Sequence, residues 1–260
     1  MSGTAATAAA PPPTGDGSAA LTVTGIDKSF GGIRALTDCS LTVRTGSITA
    51  LIGPNGSGKT TLFNCMTGFY QPERGEVYVR GVPVIGERPS DIVHLGVMRT
   101  FQVTRLFRRM TVLENMIVPI RQLTLRSLFT AAIKGHERDR AEVLLEFVGL
   151  QALRDQPAES LSFGQQKLLE LAAALMAEPE ILMLDEPAGG LNPVMIEKVA
   201  GHVRELNGRG VTFLVIEHNM GFVMDLCDPV IVMHRGTVIA QGTPDQVRDD
   251  PIVLDAYLGD

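Results

Sequence analysis

Residues 53–60 form a run of glycines and small polar residues that ends in a lysine and a threonine. The run reads Gly-Pro-Asn-Gly-Ser-Gly-Lys-Thr and matches the phosphate-loop pattern G-x-x-x-x-G-K-[ST]. Its glycines allow successive backbone N–H groups to point at one anion. Lys59 can reach the β- and γ-phosphates of a nucleotide, and the Thr60 hydroxyl can hold Mg²⁺. The predicted nucleotide-binding residues are Gly53, Pro54, Asn55, Gly56, Ser57, Gly58, Lys59, Thr60 and Thr61.

Two carboxylates follow an apolar run later in the chain. Residues 181–184 read Ile-Leu-Met-Leu, and Asp185 and Glu186 come directly after them. The carboxyl end of a buried parallel strand faces the ligand crevice of an α/β sheet. Asp185 is therefore predicted to hold Mg²⁺, directly or through water, and Glu186 to polarise a water in line with the γ-phosphate. The pair alone also fits an exposed strand end, but its position after a phosphate loop favours a nucleotide site.

Gln102 and His218 are candidate catalytic residues because of their positions in the order of motifs along the chain. Gln102 is a neutral amide that can contact both a metal ion and a water. His218 follows the apolar run 211–216 and can hydrogen-bond a γ-phosphate oxygen. Taken singly, a glutamine carries little information, and a histidine is more often structural.

Ser162 is predicted to cap a helix, because serine is favoured at the N-cap and an apolar helical pattern follows it. As a fold element it need be nothing more. A Ser-x-Gly turn at a helix N-terminus can also bind an anion. If Lys59 already holds one phosphate chain, this second anion site requires the nucleotide of a second subunit. The candidate residues there are Ser162, Gly164 and Gln165.

The elements that must position these residues alternate between apolar strands and helices. This alternation predicts a parallel sheet covered on both faces. A helix over 61–67 would point its N-terminus at the phosphates. Alternating polar and apolar residues predict antiparallel strands ahead of the phosphate loop, and a helical pattern covers 111–153. The predicted strands lie within 21–50 and at 47–52, 75–80, 181–184, 211–216, 230–233 and 238–240, the last after a hairpin turn at 234–237.

Composition limits the class of protein. The chain has 260 residues, of which 45% are hydrophobic, which is enough for one large domain or a core with an inserted subdomain. The net charge of -6 disfavours a nucleic-acid partner. Cys39, Cys65 and Cys227 are far apart and odd in number, which fits buried thiols in a reducing compartment.

No targeting or membrane segment is apparent in the sequence. No run reaches about 18 consecutive apolar residues, the least that would span a bilayer. Residues 1–20 are rich in Ala, Pro, Thr, Gly and Ser, and they lack the basic start and apolar stretch of a secretory signal. They are predicted to be a disordered tail. We therefore expect a cytoplasmic protein that meets a membrane only through a partner.

Positive charge is concentrated in residues 99–140, which contain nine Lys or Arg residues and three acids. A solvated helical face would explain this excess. A docking surface near anionic lipid or an acidic loop would explain it equally well.

In this order the motifs resemble those of the ATP-binding subunit of ABC transporters, over about residues 21–245. The resemblance rests on the phosphate loop, Gln102, the signature segment 161–165, the acids at 185–186, residues 189–193 and His218. It implies an α/β P-loop NTPase fold, with a RecA-like core, an antiparallel β subdomain and an inserted α-helical subdomain. The implied boundaries are 21–98 and 166–245 for the nucleotide-binding core, 99–165 for the helical subdomain with the signature motif, and 246–260 for a C-terminal tail.

The resemblance also implies an ATPase that works with ATP and Mg²⁺ as a head-to-tail dimer with a second ATPase subunit. Each ATP would lie between the phosphate loop of one subunit and residues 162–165 of the other. Phe30 stands where the family places an aromatic ring that stacks on adenine. Its alternative role is that of an ordinary core phenylalanine.

Several runs are similar to those of branched-chain amino-acid importers, and the long segment 99–153 is similar to the larger of their two ATPase subunits. This implies permease partners, an indirect solute-binding protein, and a peripheral position on the inner face of the cell membrane. A lipid or lipopolysaccharide exporter ATPase, a soluble non-transport ABC ATPase and a nucleotide-binding module without hydrolysis remain alternatives. The runs are 30–35, 99–107, 161–166, 188–193, 216–220 and 256–259.

Two residues depart from the general family pattern. Phe163 replaces the first glycine of the signature motif, and Asn192 replaces an aspartate that usually follows the two acids. Similar replacements occur in the branched-chain subfamily, so neither implies an inactive site. The cross-subunit role of that aspartate is not assigned to Asn192.

Overall fold

The structure is a computed structural model that describes residues 19–100, 106–118 and 135–258. Its strands are β1 (Ala19–Phe30), β2 (Ile33–Arg44), β3 (Ile48–Ile52), β4 (Arg74–Val79), β5 (Val82–Pro83), β6 (Val97–Arg99), β7 (Ile181–Asp185), β8 (Thr212–Ile216), β9 (Val230–His234) and β10 (Thr237–Gly242). Its α-helices are α1 (Lys59–Met66), α2 (Pro89–His94), α3 (Val112–Ile117), α4 (Gly135–Val148), α5 (Phe163–Leu175), α6 (Pro193–Gly208), α7 (Met220–Leu226), α8 (Pro244–Arg248) and α9 (Pro251–Leu258). Among these helices, none combines the length and the apolar character that a membrane crossing requires.

A six-stranded sheet forms the centre of the molecule, in the order β10-β9-β3-β8-β7-β6. Its strands pair in parallel except for β10, which runs antiparallel to β9. Every residue of β3, β7 and β8 is buried, because helices or the second sheet cover both faces. The predicted parallel sheet is therefore confirmed. Its strands end within about two residues of the positions expected from the sequence, except for β6, which was not predicted.

A second sheet of four antiparallel strands has the order β2-β1-β4-β5. It shares a hydrophobic cluster with the face of the central sheet that carries Leu51, and with Phe63 of α1. The antiparallel strands predicted ahead of the phosphate loop are confirmed. The sequence predicts a tail over 1–20, whereas β1 begins at Ala19, which pairs with Arg44 of β2.

A second hydrophobic cluster joins the other face of the central sheet to helices α3 to α7, and α3, α4 and α5 also contact one another. Ala141, Leu145 and Val148 of α4 are buried, as the helical spacing of these residues predicts. The helix α3 begins with a capping box between Thr111 and Glu114. Residues 119–134 of the predicted helical segment lie outside the described residues.

The C-terminal segment after β10 is helical through Leu258, where the sequence suggested only a tail over 246–260. Val247, Val253 and Ala256 are buried, so both short helices are held by core contacts. The Tyr257 side chain reaches the phosphate loop. Burial raises the pKa of its hydroxyl, and a hydrogen bond with the Gly53 backbone opposes that rise.

All three cysteines are buried free thiols. Burial raises the pKa of Cys39 and Cys227 to about 12 and that of Cys65 to about 11. The prediction that they act as small apolar residues is confirmed.

Candidate nucleotide site

The phosphate loop, residues 53–60, connects β3 to the first turn of α1, and two of its glycines are tightly enclosed. Gly53 has φ 149°, and a Cβ there would lie 2.1 Å from the Met233 carbonyl oxygen. Gly58 has φ 101°, and a Cβ there would lie 2.6 Å from the Ala35 carbonyl oxygen. The loop therefore lies against the backbones of β9 and β2, which fixes its shape.

Lys59 bridges the loop with its ammonium group. Its Nζ donates hydrogen bonds to the carbonyl oxygens of Gly53 at 2.7 Å and Pro54 at 2.8 Å. Burial lowers the pKa of Lys59, while the carboxylates of Glu186 and Asp185 oppose that shift. A cation thus sits at the mouth of the loop, where a phosphate chain would bind.

An open cavity of about 310 Å³ lies above the loop. This volume falls in the range of small-molecule sites. The cavity brings six of the nine predicted nucleotide-binding residues together with Glu186, which the sequence separates from them by more than a hundred positions. Its lining residues are Ala35, Asn55, Gly56, Gly58, Lys59, Thr60, Thr61, Glu186 and Ile216.

Glu186 directly follows β7 and has a left-handed backbone, with φ 50°. Such a conformation costs about 1–3 kcal/mol for a residue other than glycine and is concentrated at active sites. The Glu186 N–H donates to the carbonyl oxygen of Ile216 at 2.9 Å, which holds the turn against β8. His218 Nδ1 lies 3.6 Å from Glu186 Oε1, so the structure brings these two predicted residues together.

Asp185 forms a buried ion pair that the sequence did not suggest. Arg99 donates to Asp185 Oδ2 at 3.0 Å, and the two side chains are only 8% and 3% exposed. Burial raises the pKa of Asp185, and the hydrogen bond from Arg99 opposes the rise. Arg99 is the first residue of the basic segment 99–140, but its side chain is buried against Asp185.

Two other arginines of the described basic segment form ion pairs near the protein surface. Arg138 pairs with Glu142 on α4 at 3.3 Å, and both side chains are partly exposed. Arg140 pairs with Glu178 and donates to the Leu175 carbonyl oxygen at 3.0 Å. These contacts fit a solvated helical face that is fastened to α5. The remaining part of the segment includes residues 101–105 and 119–134, which lie outside the described residues.

Glu217 is a site residue that sequence reasoning missed. It is 1% exposed, and its carboxylate accepts hydrogen bonds from three backbone N–H groups. The donors are Ala188 at 2.7 Å, His218 at 2.9 Å and Asn219 at 2.9 Å. The sequence contains a signal for this role: Glu217 follows an apolar strand, and a buried carboxylate there requires hydrogen-bond donors.

Ser162 caps α5 as predicted. Its hydroxyl accepts from the Gln165 N–H at 3.3 Å, and Gln165 Oε1 accepts from the Ser162 N–H at 2.9 Å. Gly164 packs against the flexible Met195 side chain, whose Cε would lie 2.9 Å from a Cβ at this position and would have to shift. In the described part of the chain, residues 162–165 do not line the phosphate cavity.

Phe163 and Asn192, the two departures from the family pattern, both have local roles. Phe163 is half exposed, and its Cε1 would lie 3.1 Å from a Cβ at Gly190, so it covers the loop that follows Glu186. The Asn192 side chain caps α6 by accepting from the Met195 N–H at 2.9 Å.

Phe30 lies at the end of β1 and is 43% exposed. Its ring meets that of Tyr70 edge-on at 5.1 Å, and Lys28 Nζ lies 5.2 Å from its centroid. The alternative of an ordinary core phenylalanine is therefore wrong. The ring is therefore partly open to solvent, with Tyr70 and Lys28 beside it.

The oxygen donors at the site suit Mg²⁺. Within the described ranges, no group of three or more His, Cys, Asp or Glu side chains is placed to hold a metal ion. Mg²⁺ commonly takes only one or two carboxylates together with phosphate oxygens and waters. The Asp185 carboxylate and the Thr60 hydroxyl fit that requirement. Gln102, the third predicted ligand, lies outside the described residues.

Comparison with known proteins decides the family. Residues 36–189 match the family model described as ABC transporter. The chain belongs to the ABC transporter ATP-binding family. A second family model, described as branched-chain amino acid ATP-binding cassette transporter, matches residues 237–260 of the chain.

Individual relatives extend over nearly the whole chain. The protein is 43% identical to the high-affinity branched-chain amino acid transport ATP-binding protein LivG of Salmonella typhimurium, over 92% of this chain and 98% of the relative. It is similar to the ADP conformation of an ATP-binding cassette, with TM-score 0.85, 37% identity and coverage of 93% and 99%. It is also similar to a dimeric, post-hydrolysis cassette bound to ADP and Pi, with TM-score 0.75, 25% identity and coverage of 86% and 98%.

Proposed function

We propose that the protein is the ATP-hydrolysing subunit of an ABC importer for branched-chain amino acids or similar small polar solutes. The cavity that unites the phosphate loop with Glu186 carries the ATPase part of this proposal. The match of residues 237–260 to a branched-chain cassette family, together with the similarity to LivG, supports the cargo class. That match favours an importer over a lipid exporter or a non-transport ATPase.

Nucleotide binding begins at the phosphate loop. Backbone N–H groups over 56–60 bind the phosphate oxygens, and their positive ends are reinforced by the N-terminus of α1. Lys59 transfers its hydrogen bonds from the carbonyl oxygens of Gly53 and Pro54 to the β- and γ-phosphates. Thr60 and Asp185 would hold Mg²⁺, which, when bound, offsets the charge of the phosphate oxygens.

Hydrolysis then depends on Glu186 and its neighbours. Glu186 accepts a hydrogen bond from the attacking water, and polarises it in line with the γ-phosphate. His218, 3.6 Å from the Glu186 carboxylate, orients that carboxylate and contacts a γ-phosphate oxygen. Gln102 is proposed to contact the γ-phosphate from the segment after β6. The rate gain comes from positioning and electrostatic stabilisation.

The complete site requires a second ATPase subunit, either another copy or a different chain. Residues 162–165 stand apart from the cavity in their own subunit, so they are available to a nucleotide held by the partner. A dimeric relative supports this arrangement. Phe30 would stack on the adenine. The proposed units are a core of 21–98 and 166–245, a helical subdomain of 99–165 and a C-terminal segment of 246–260.

The transport partners follow from the proposed importer role. Permease subunits would dock at a largely apolar groove of about 180 Å³ between β6, α3 and α5. Met98, Leu106, Phe107, Val118 and Ala173 are among the residues that line it. The protein would then lie on the cytoplasmic face of the membrane as a peripheral subunit, meet a solute-binding protein only indirectly and have no nucleic-acid partner.

The proposal is tested by measuring Mg²⁺-dependent ATP hydrolysis by the full chain and its Glu186→Gln variant, with molar mass followed by light scattering. We expect hydrolysis by the wild type, loss of hydrolysis in the variant, and an ATP-trapped dimer in the variant. Uptake of labelled leucine by cells that express the chain with its permeases tests the cargo. Failure of the wild type to bind or hydrolyse ATP, alone and with its permeases, would overturn the proposal.

A further inference from the structure

Arg99 is a buried arginine that connects three elements at the proposed metal-binding carboxylate. It is the last residue of β6, and its side chain is 8% exposed. One terminal nitrogen donates to Asp185 Oδ2 at 3.0 Å. The other donates to Asn64 Oδ1 at 2.5 Å and lies 3.4 Å from Thr67 Oγ1. Arg99 therefore links the end of β7 to α1.

Aromatic rings restrict the guanidinium further. Its central carbon lies 5.3 Å from the ring centroid of Phe63 and 5.9 Å from that of Phe69. Both distances are within the range of cation–π attraction. The rings and the hydrogen bonds to α1 together fix the plane of the guanidinium. A planar group held in this way can orient the carboxylate that it contacts.

Charge explains why Asp185 needs such a partner. Its side chain is 3% exposed, and a buried carboxylate without an opposite charge is strongly destabilising. The Arg99 guanidinium offsets that charge and occupies Oδ2, which ties the carboxylate to a single orientation. The same helix α1 begins at Lys59 and Thr60. The carboxylate and the predicted hydroxyl ligand are thus fixed to one rigid unit.

We propose that Arg99 is a positioning residue for Mg²⁺, which holds Asp185 in the orientation that binds the ion and couples it to α1. The inference rests on the proposed function. Hydrogen-bonding partners of metal ligands orient those ligands, and their loss typically weakens metal affinity about 10- to 100-fold. Arg99 extends the metal site to a residue that does not itself touch the ion.

The test uses the full-length chain and a fluorescent ATP analogue, titrated in EDTA and at graded Mg²⁺ concentrations. Arg99→Met keeps the apolar stem but removes the charge and the hydrogen bonds. We expect its nucleotide affinity in EDTA to stay at the wild-type value, while the Mg²⁺ concentration that gives half of the tightening rises about 10- to 100-fold. Arg138→Met is the matched control, since Arg138 is an exposed arginine of α4, and it is expected to behave as the wild type.

Two further variants separate positioning from charge and from folding. Arg99→Lys keeps the charge, but one ammonium cannot bond Asn64 and Asp185 with the same fixed fork, so it should resemble Arg99→Met more than the wild type. Asn64→Ala removes the shorter of the two hydrogen bonds from Arg99 to the α1 region and leaves the ion pair. It should shift the Mg²⁺ requirement in the same direction by a smaller factor. It serves as the test if Arg99→Met does not fold.

The possible outcomes distinguish this inference from the function on which it rests. An unchanged Mg²⁺ requirement in Arg99→Met, or in Asn64→Ala where it alone folds, overturns the inference. So does an equal loss of affinity in EDTA and in Mg²⁺, which marks a merely structural role. If Arg99→Lys has the Mg²⁺ requirement of the wild type, the positive charge alone is sufficient and the positioning role is rejected. If the wild type itself binds nucleotide without any effect of Mg²⁺, the proposed function fails instead, and the inference fails with it.

Discussion

The Glu217 carboxylate accepts a hydrogen bond from the backbone N–H of Ala188 at 2.7 Å, across two different loops. Ala188 follows the acids at the end of β7, and Glu217 directly follows β8. The same carboxylate also binds the N–H groups of His218 and Asn219. One buried charge thus holds the loop after Glu186 in register with the loop that carries His218.

Replacing Glu217 should separate these loops. Glu217→Ala leaves three N–H groups without their acceptor, which we expect to lower the free energy of unfolding by about 2–4 kcal/mol. Urea denaturation measures this loss, and ATPase assays at a temperature where the variant is folded should show a lower kcat as well. Glu146→Ala, at an exposed position on α4, is the control. Equal stability of the wild type and Glu217→Ala would contradict the role of this carboxylate.

Glu186→Gln should separate binding from hydrolysis. Glutamine keeps the size of the side chain but cannot accept a proton, and loss of a general base typically costs about a hundredfold to ten-thousandfold in rate. Nucleotide affinity should remain, because the phosphate loop is untouched. Single-turnover hydrolysis and equilibrium ATP binding measure the two effects. A variant that hydrolyses ATP at the wild-type rate would remove Glu186 from the mechanism.

Gly53 and Gly56 provide a matched pair of glycine substitutions in the phosphate loop. Both have positive φ, but a Cβ at Gly53 would lie 2.1 Å from a backbone oxygen, whereas one at Gly56 meets nothing within 4 Å. We expect Gly56→Ala to cost about 1–2 kcal/mol through the left-handed backbone alone. Gly53→Ala should cost about 4 kcal/mol or more. Urea denaturation without nucleotide measures the free energy of unfolding of both variants. Similar losses would mean that the backbone around Gly53 shifts at little cost to accommodate the methyl group.

Phe30→Ala tests the proposed adenine contact. Stacking of a base on an aromatic ring is worth about 1–3 kcal/mol by alanine substitution, so ATP affinity should fall by that amount. The affinity for inorganic tripolyphosphate should not change, because it has no base to stack. Calorimetric titration with both ligands makes the comparison. Equal weakening of both would indicate that Phe30 supports the fold instead.

The cysteines should be unreactive in the folded protein. Burial raises the pKa of Cys39 and Cys227 from the ordinary 9.0 to about 12, so the nucleophilic thiolate is suppressed. The unfolded chain releases these protons at lower pH than the folded chain, so their contribution to stability is present below pH 9.0 and is lost as pH rises toward about 12. Alkylation followed by mass spectrometry at graded pH checks this. Rapid labelling of native protein near pH 9.0 would contradict it.

Local patterns predicted most of the described fold. The apolar runs of the parallel strands, the phosphate loop and the Ser162 cap are each encoded within a few consecutive residues, and each is found near its predicted position. The two C-terminal helices were not predicted. Each has eight residues or fewer, too short for a clear helical period, and they are stabilised by packing on β10.

The contacts that were missed join residues far apart in the sequence. A count of charges along residues 99–140 predicts an exposed cluster, whereas the Arg99 side chain is buried. Its partner Asp185 lies 86 positions later and meets it only because β6 and β7 pair in parallel. Glu217 was overlooked beside His218, since its three donors come from two loops. Neither contact leaves a periodic signal in the sequence.

The carbonyl oxygens that hold Lys59 act as a stand-in for the phosphates. These two hydrogen bonds hold the ammonium group beside the loop, within reach of a phosphate chain. When a nucleotide binds, Lys59 exchanges these carbonyl acceptors for phosphate oxygens, and the loop backbone keeps its conformation. Binding therefore costs little conformational entropy. Because Gly53 and Gly58 are enclosed by the backbones of β9 and β2, the loop keeps its shape between product release and the binding of the next ATP. Each turnover can therefore begin without refolding of the phosphate-binding residues.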